Sequence, residues 1–428
     1  MASVIGVQCI PRPDFYNLWG LYTIAFFLYA VLVFSKQNIP VYYGLILAVL
    51  CRMIGFALEP LLSDDYFRFV WDGMVMNEGI NPAAYTPAYL LSHPEISNTN
   101  RTLYELLNSK EYYSVYPPVA QLIFFVSFAI NQLNIEGHII FYKVILFFAD
   151  IGIIYLLAQF LKKEQKSLQN ILIYALNPLV IIEYTGNLHM EGLMIVGLLA
   201  AIFFAKKRSW ILSIFFMTFS VCAKVITIML TPFMPREMYW KKIILWGIGI
   251  LSLTAFIFFM TFHTNNGWLR SIMLWFQSFE FNASFYYIIQ NIYSAWKGYE
   301  NITIVGPMMG AFAFMLIAAT WIYYLRKKEM HWSTAMVIAL TIYFLLTTTL
   351  HPWYLGTLLA LSIISGHRFP IIWTYLVFLS YSHYSDGGFS EKYGFITLEY
   401  FLLFAWMIFE FRNRDFIKQH TSLSATPN

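Results

Sequence analysis

The sequence is poor in charge and in cysteine, and it lacks the glycine-rich motifs of nucleotide-binding enzymes. Only 12% of its 428 residues are charged, about half of what a soluble domain carries. The net charge of +4 is too small to indicate nucleic-acid binding. Cys51 and Cys222 lie in apolar runs without metal-ligand spacing, so we predict buried thiols and no disulfide. The missing glycine motifs mean that the sequence does not suggest a nucleotide-linked substrate. A His-Glu-x-x-His zinc motif is also missing.

Long apolar runs fill most of the chain, of which 59% is hydrophobic. A helix needs about 20 apolar residues to cross a bilayer. The sequence therefore predicts an all-α polytopic membrane bundle, 1–428, with about 13 spans. No basic start followed by an apolar stretch stands at the N-terminus, so we expect no cleavable signal peptide. The predicted spans are 16–35, 40–60, 139–160, 170–185, 189–205, 209–223, 225–235, 243–262, 302–324, 332–350, 354–367, 370–383 and 393–411.

Basic residues in short loops predict the orientation of the bundle. If successive spans cross the membrane in opposite directions, 17 of the 27 lysines and arginines lie on one face, which we take as cytoplasmic. This distribution predicts a multi-pass protein, in the bacterial inner membrane, with a cytoplasmic C-terminal tail at 412–428. The 17 residues are Lys36, Lys162, Lys163, Lys166, Lys206, Lys207, Arg208, Arg236, Lys241, Lys242, Arg326, Lys327, Lys328, Arg368, Arg412, Arg414 and Lys418.

The apolar segment from Pro117 to Asn131 does not fit this alternation as a full span. Counting it as one would move the basic cluster near Lys162 to the other face. It is also short for a crossing, and its Pro-Pro start is typical of a helix entry. We therefore predict a re-entrant or surface helix within a first extracytoplasmic loop, 61–138. A second long outer loop is predicted at 263–301.

The first outer loop begins with unusual acidic residues. Asp64 and Asp65 follow a span directly, and Asp72 lies seven residues after Asp65, so a helix would turn both to one side with Arg68 between them. A carboxylate at the membrane surface can act as a general base toward an acceptor hydroxyl. The competing interpretation is a solvated helix cap, where Asp is also favoured.

Further ionisable and aromatic groups fall in the same predicted outer region. Charges in or near the bilayer are costly and are usually functional or paired. Arg52 with Glu59, and Lys143 with Asp150, have helical spacing, and we expect these pairs to be structural. The remaining candidates for substrate contacts are Tyr116, His189, Glu191, Lys224, His351, Trp353 and Tyr354. The alternative for Trp353 and its neighbours is an interfacial anchor.

Several of these segments resemble the outer loop and later motifs of GT-C glycosyltransferases. The resemblance is carried by 63–73 (Ser-Asp-Asp-Tyr-Phe-Arg-Phe-Val-Trp-Asp-Gly), Gly-Ile-Asn-Pro at 79–82 and Tyr-Pro-Pro-Val-Ala-Gln at 116–121. Further likeness lies in 176–178, 189–192, Lys224 and 351–354, so the resemblance covers roughly 60–355. It is nearest to bacterial polyprenol-phosphate-mannose mannosyltransferases, and looser to the enzyme that adds the first mannose in GPI-anchor assembly.

The resemblance implies inverting transfer of a hexose, most simply mannose, from a polyprenyl-phosphate sugar to an acceptor outside the cytoplasm. Asp65 matches the loop acid taken as the catalytic base, with Asp64 beside it, and Arg68, His189, Lys224 and His351 would contact the donor. Relatives often carry Asp-x-Asp, whereas here the acids are adjacent. The metal role of an Asp-x-Asp motif is therefore not carried over; no cofactor is firmly predicted, and a divalent cation is left open.

The acceptor remains open among a glycan, a lipid and a protein, and no nucleic-acid partner is expected. A transporter or flippase of a lipid-linked sugar is the alternative function, although no inverted repeat is visible. A non-enzymatic membrane scaffold is a third alternative. It leaves the clustered outer ionisable residues unexplained.

Overall fold

The computed structural model describes residues 1–35, 39–98, 100–235, 240–262, 270, 273 and 279–413. Predictions for Lys36, Arg236, the Lys241 side chain, Arg414 and Lys418 lie outside this part, as do much of the 263–301 loop and most of the 412–428 tail. The α-helices are α1 Ala2–Gln8, α2 Phe15–Phe34, α3 Val41–Ile54, α4 Asp65–Asn77, α5 Pro87–Ser92, α6 Arg101–Glu105, α7 Pro118–Asn131, α8 Ile135–Lys163, α9 Leu172–Ala175, α10 Pro178–Val180, α11 Glu191–Lys206, α12 Trp210–Ala223, α13 Trp240–Phe262, α14 Phe285–Lys297, α15 Ile302–Arg326, α16 Trp332–Leu346, α17 Leu355–Ser365, α18 Phe369–Leu376 and α19 Tyr393–Arg412.

Shorter elements complete the chain. Short 3-10 helices lie at Gly55–Ala57, Leu168–Ile171, Val225–Phe233, Pro352–Tyr354 and Val377–His383, and a π-helix lies at Ile181–Gly186. The antiparallel strands β1 Tyr384–Ser385 and β2 Gly388–Phe389 form a small hairpin. The all-α prediction is confirmed.

Among the residues that the structure describes, five helices are long and apolar enough to cross a membrane, and a sixth span results if a bent pair is counted as one. The five are Phe15–Phe34, Ile135–Lys163, Lys242–Phe262, Ile302–Arg326 and Tyr393–Arg412. Shorter apolar helices lie at several of the other predicted spans, including α12 and α16, and α7 is a further short apolar helix. All of these are below the roughly 20 residues of an ideal crossing, so the count of 13 is not confirmed.

The bundle is layered, with buried helices at its centre and apolar helices exposed at its surface. Every residue of α17 except Ser365 is buried, as are most of those in α11. By contrast, α13 and α15 expose many large apolar side chains, including Phe259 and Phe314. An outer surface of this kind suits a lipid environment, where exposed apolar groups carry no hydration cost.

The two ends of the bundle differ in character. At one end, the loops rich in basic residues contact one another: His331 lies 3.2 Å from Glu164, and the Lys206 ammonium lies 5.6 Å from the Trp332 ring centre. The helix α11 runs from Glu191 to Lys206, about 24 Å at 1.5 Å per residue. Glu191 therefore lies at the end of the bundle opposite the basic loops.

Two predicted ion pairs are wrong, because the charges pair between helices and not along them. Arg52 Nε contacts Asp150 Oδ2 at 2.6 Å, and both side chains are buried. Lys143 donates instead to the backbone carbonyls of Gly55 (2.6 Å) and Leu58. The structural role expected for these charges agrees with the contacts, since α3 and α8 are joined by them.

Candidate functional site

The adjacent acids lie where the first outer loop becomes helical. Asp64 caps α4 and Asp65 is its first residue, positions at which the helix dipole favours negative charge. Arg12 donates to Asp64 Oδ2 at 2.9 Å, and Asn108 donates to Asp65 Oδ1 at 2.9 Å. Asp65 is half-buried. Both acids remain accessible at one end of the bundle, as a reacting group requires.

Arg68 and Asp72 occupy a different environment from the acids that precede them. Their ion pair is buried, with Arg68 Nε 2.7 Å from Asp72 Oδ1. Ser114 (2.5 Å) and Gln121 (3.1 Å) donate to the other oxygen of Asp72, and Arg68 also donates to the carbonyl of Tyr112. These contacts tie the loop around 109–121 to α4, and they separate Arg68 and Asp72 from the open side of Asp65.

A close approach of α4 to α7 supports the loop. A Cβ at Gly73 would lie 2.4 Å from the carbonyl oxygen of Phe124, so only glycine fits there. Phe69 stacks on Phe124 at 4.5 Å in the same contact. Proline at the first position of α7 begins the helix as predicted from the Pro117-Pro118 sequence. Whether α7 enters or lies on a bilayer stays a prediction.

Three aromatic rings from two distant segments form a continuous stack. The rings of His189 and Trp353 are 3.5 Å apart, and Trp353 stacks nearly parallel on His351 at 4.4 Å. Burial lowers the pKa of His351 well below its usual value, and the nearby charges of Lys224 and His189 add to this effect. The His351 imidazole is therefore neutral at pH 7.

Lys224 joins this stack from the end of α12. The chain is extended at Lys224, which is the predicted break between α12 and the Val225–Phe233 helix. Its ammonium contacts the carboxylate of Glu191, the first residue of α11, and lies 3.9 Å from the Tyr354 ring centre. The Lys224 side chain is 31% exposed, so one face of the ammonium reaches open space.

A sharp bend places His189 and Glu191 in the site. The 178–186 helical segment and α11 meet at 111°, and Leu188 between them has a positive φ of 65°. This backbone region is rare for a bulky residue and often accompanies functional sites. Here it turns His189 toward Trp353. The structure thus joins the predicted spans 170–185 and 189–205 into a broken span or a re-entrant loop.

Electrostatic effects on Tyr116 link the acids to this cluster. Burial raises the pKa of the Tyr116 hydroxyl well above its usual value, and the Asp65 carboxylate is the next cause, with a further contribution from Glu191. The Tyr354 hydroxyl also lies within electrostatic range of Glu191 and Asp65. The structure therefore brings Asp65, Tyr116, Glu191, Lys224 and Tyr354 to one site.

Other residues of the site carried little or no sequence signal. Tyr381 donates to Glu183 Oε1 at 2.6 Å, and Glu183 Oε2 lies 3.3 Å from His189 Nε2. Glu183 stood out only as a charge in an apolar run, and Tyr381 is one of many aromatic residues. Arg12 and Tyr384 lie beyond the motif-bearing region, so only tertiary contacts reveal their positions.

No group of three or more His, Cys, Asp and Glu side chains in the described ranges could hold a metal ion. Asp64 is paired with Arg12 and Glu191 with Lys224, so these acids are engaged by cations of the chain itself.

Comparison with known proteins identifies the N-terminal half of the chain. Residues 30–239 match the family model described as Alpha-(1->6)-mannopyranosyltransferase, N-terminal domain. This range includes Asp65, His189 and Lys224 and ends before His351. No curated protein and no solved structure shows a significant match. Over residues 30–239 the chain is similar to the alpha-(1->6)-mannopyranosyltransferase family, and it is a membrane glycosyltransferase of the mannosyltransferase type.

Proposed function

We propose that the protein transfers mannose from a polyprenyl-phosphate donor to an acceptor hydroxyl at the extracytoplasmic face of a bacterial membrane, with inversion at the anomeric carbon. The observation that carries this proposal is the convergence of one accessible carboxylate, Asp65, with the Lys224 and His189–His351 cluster at the end of the bundle opposite the basic loops. Basic loops favour the cytoplasmic side. The site would accordingly lie outside.

Asp65 is the best candidate for the base among the loop acids. Asp72 accepts hydrogen bonds from three side chains and is buried, so its lone pairs are occupied. Asp64 is held by the Arg12 guanidinium. Asp65 accepts from the neutral Asn108 amide, which leaves capacity on the carboxylate for an acceptor hydroxyl.

Lys224, His189 and His351 suit the phosphate of the donor. An ammonium has three N–H donors, and Glu191 occupies only part of this capacity in Lys224. Hydrogen bonds between cations and phosphate are among the strongest in proteins. Glu183 Oε2 lies 3.3 Å from His189 Nε2 and holds a carboxylate beside that ring. Arg68 would act through the loop that it anchors and not through direct donor contact.

An apolar groove whose lining comes close to His351 along the chain supports a lipid-linked donor. It has a volume of about 180 Å³, is mainly apolar, and lies between α15, α16 and the Val225–Phe233 helix. Its lining includes Thr347 and Thr348, which lie four and three residues before His351 in the sequence. It is lined by Met229, Gly306, Gly310, Ala313, Phe314, Ile317, Tyr343, Leu346, Thr347 and Thr348.

In the proposed reaction, the acceptor oxygen attacks the anomeric carbon as its proton passes to the Asp65 carboxylate. The new carbon–oxygen bond forms while the bond to the donor phosphate breaks, and the bonding electrons leave with polyprenyl phosphate. Lys224 and His189 stabilise the charge that develops on the departing phosphate. Stabilisation of this kind is usually the largest single contribution to catalysis.

The test uses the purified protein in lipid vesicles with polyprenyl-phosphate mannose and an acceptor glycoside. Asp65→Asn is nearly isosteric and should lower kcat by about 10²- to 10⁴-fold, because the base is lost while donor binding remains. Glu95→Gln is the matched control, since Glu95 is an exposed acid of the same outer loop.

Two outcomes would overturn this assignment. Transfer by Asp65→Asn at the wild-type rate would exclude Asp65 as the base. Movement of labelled donor between leaflets without any transfer product would favour the flippase alternative.

A further inference from the structure

Asp65 acts electrostatically on two groups of residues that differ in exposure and in chemistry. One group contains the partly buried Tyr116 and the buried Glu191, whose carboxylate contacts Lys224. The other group contains Asp64, Arg12 and the β1–β2 hairpin, all at least partly exposed. A lipid-linked donor requires the apolar and cationic group. The exposed group is therefore the one at which a water-soluble acceptor can approach.

Four side chains make up this exposed group, which we call the open face: Arg12, Asp64, Tyr384 and Phe389. The Arg12 guanidinium lies 4.1 Å from the Tyr384 ring centre and donates to Asp64, whose side chain is 45% exposed. Burial raises the pKa of Tyr384 to about 12, while Arg12 opposes this and the Asp65 charge adds to it. The open face is thus continuous with Asp65.

Aromatic contacts also connect the open face with the His189–Trp353–His351 stack. The Phe389 and Tyr384 rings are 5.6 Å apart, and Phe389 stacks on Phe281 at 5.9 Å. Phe281 in turn lies 4.5 Å from the His351 ring. Its backbone is held in place by hydrogen bonds with Thr348 and Leu350. Phe389 is nevertheless 50% exposed, so this aromatic wall ends in an uncovered ring beside the reaction site.

We propose that the open face is the acceptor subsite and that it takes a neutral saccharide. The proposal rests on the proposed function, because it takes Asp65 as the group that receives the acceptor proton. An exposed aromatic ring offers an apolar face for the C–H groups of a pyranose. Arginine supplies several donors and aspartate several acceptors, which together match neighbouring hydroxyl groups.

The charge of the open face decides between classes of acceptor. Arg12 and Asp64 form an ion pair at 2.9 Å, so the face presents no net cation to an anionic group. A phosphorylated or carboxylated acceptor would also meet Asp64 and Asp65 at close range, where like charges repel. A neutral sugar loses little electrostatic free energy in this position. The acceptor class is therefore an uncharged glycan.

The experiment measures KM for acceptor and donor separately, with a neutral alkyl dimannoside as acceptor. Phe389→Ala and Arg12→Gln should each raise the acceptor KM by about tenfold, equivalent to the loss of one stacking or charged contact, and leave the donor KM unchanged. Trp296→Ala is the control, because Trp296 is an aromatic residue that is 74% exposed but packs with Tyr293 and Lys297 in α14.

A binding measurement separates this proposal from the proposed function. Calorimetric titration of the dimannoside into Asp65→Asn protein should show binding, and the double variant Asp65→Asn/Phe389→Ala should lose about tenfold in affinity. If Asp65→Asn transfers normally, the proposed function fails whatever happens at Phe389.

Three results would overturn the subsite itself. The first is an unchanged acceptor KM in both Phe389→Ala and Arg12→Gln while Asp65→Asn is inactive. The second is stronger binding of a phosphorylated dimannoside than of the neutral one. The third is that Phe389→Ala loses activity in vesicles but not in detergent, which would make Phe389 a membrane contact.

Discussion

Gly356→Ala is a substitution whose effect can be worked out from the structure. An added Cβ at Gly356 would lie 1.8 Å from the Tyr184 hydroxyl oxygen and 2.6 Å from the ring carbon that carries it. Tyr184 is buried and donates to the carbonyl of Trp353 at 3.2 Å, so the ring has no free space to enter. The substitution must therefore displace Tyr184, Trp353 or both, and with them the stack on His189.

Three contributions to the free energy of unfolding determine the size of the effect. Overpacking costs about 1–3 kcal/mol, and the lost hydrogen bond to Trp353 costs about 1 kcal/mol. Alanine gains about 1 kcal/mol over glycine inside a helix, which offsets part of this. We therefore expect Gly356→Ala to destabilise the protein by about 1–3 kcal/mol and to lower the transfer rate, because Trp353 moves relative to His189 and His351.

The assay is thermal unfolding of the detergent-purified protein, followed by transfer kinetics. Gly20→Ala in α2 is the control, since a Cβ at Gly20 meets no atom within 4 Å. Combining Gly356→Ala with Tyr184→Phe should destabilise by less than the sum of the single changes, because the nearest clashing atom is gone. A Gly356→Ala protein as stable and active as Gly20→Ala, or strictly additive effects in the double variant, would refute the reasoning.

Two further predictions concern buried charges. Arg52→Met should destabilise the protein by about 3–5 kcal/mol, because it leaves Asp150 buried and unpaired. The double variant Arg52→Met/Asp150→Leu should recover most of this stability in the same unfolding assay. A double variant that is no more stable than Arg52→Met would contradict this account. Glu183→Gln removes the carboxylate beside His189 and should raise the donor KM by about tenfold, the equivalent of one charge-assisted contact. Tyr381→Phe, which keeps that carboxylate, should change the donor KM less, and equal effects of the two substitutions would indicate a merely structural role for Glu183.

Local sequence patterns predicted much of the helical framework. The break at Lys224 and the start of α7 at Pro118 appear where the sequence placed them. These features depend on apolar run length and on proline, which act over a few neighbouring residues. The length of the apolar segments was a poorer guide to the number of membrane spans, because short helices such as α12 and α16 are packed against other helices.

The pairing of charges depends on contacts that sequence spacing does not contain. Arg52 and Glu59 have suitable helical spacing, yet α3 ends at Ile54 and Arg52 reaches Asp150 on α8. Asp72 likewise shares a helix with Asp65, but the loop residues Ser114 and Gln121 fold over it. A seven-residue spacing determines only that two side chains point to the same side of one helix. It does not determine which neighbouring segment packs against that side.

The sequence by itself determined that this is a helical membrane protein, which residues are candidates for chemistry, and which family they resemble. Composition and motifs carry that information because the length of a membrane-spanning helix and the identity of a reactive side chain are both properties of the local sequence. Only the tertiary structure decided that Asp65 is accessible while Asp72 is buried, and that His189, Trp353 and His351 form one stack. It also decided that Arg12 and the β1–β2 hairpin lie beside Asp65. His189 lies 164 positions before Trp353, and Asp65 lies 319 positions before Tyr384, so the packing of separate elements brings them together.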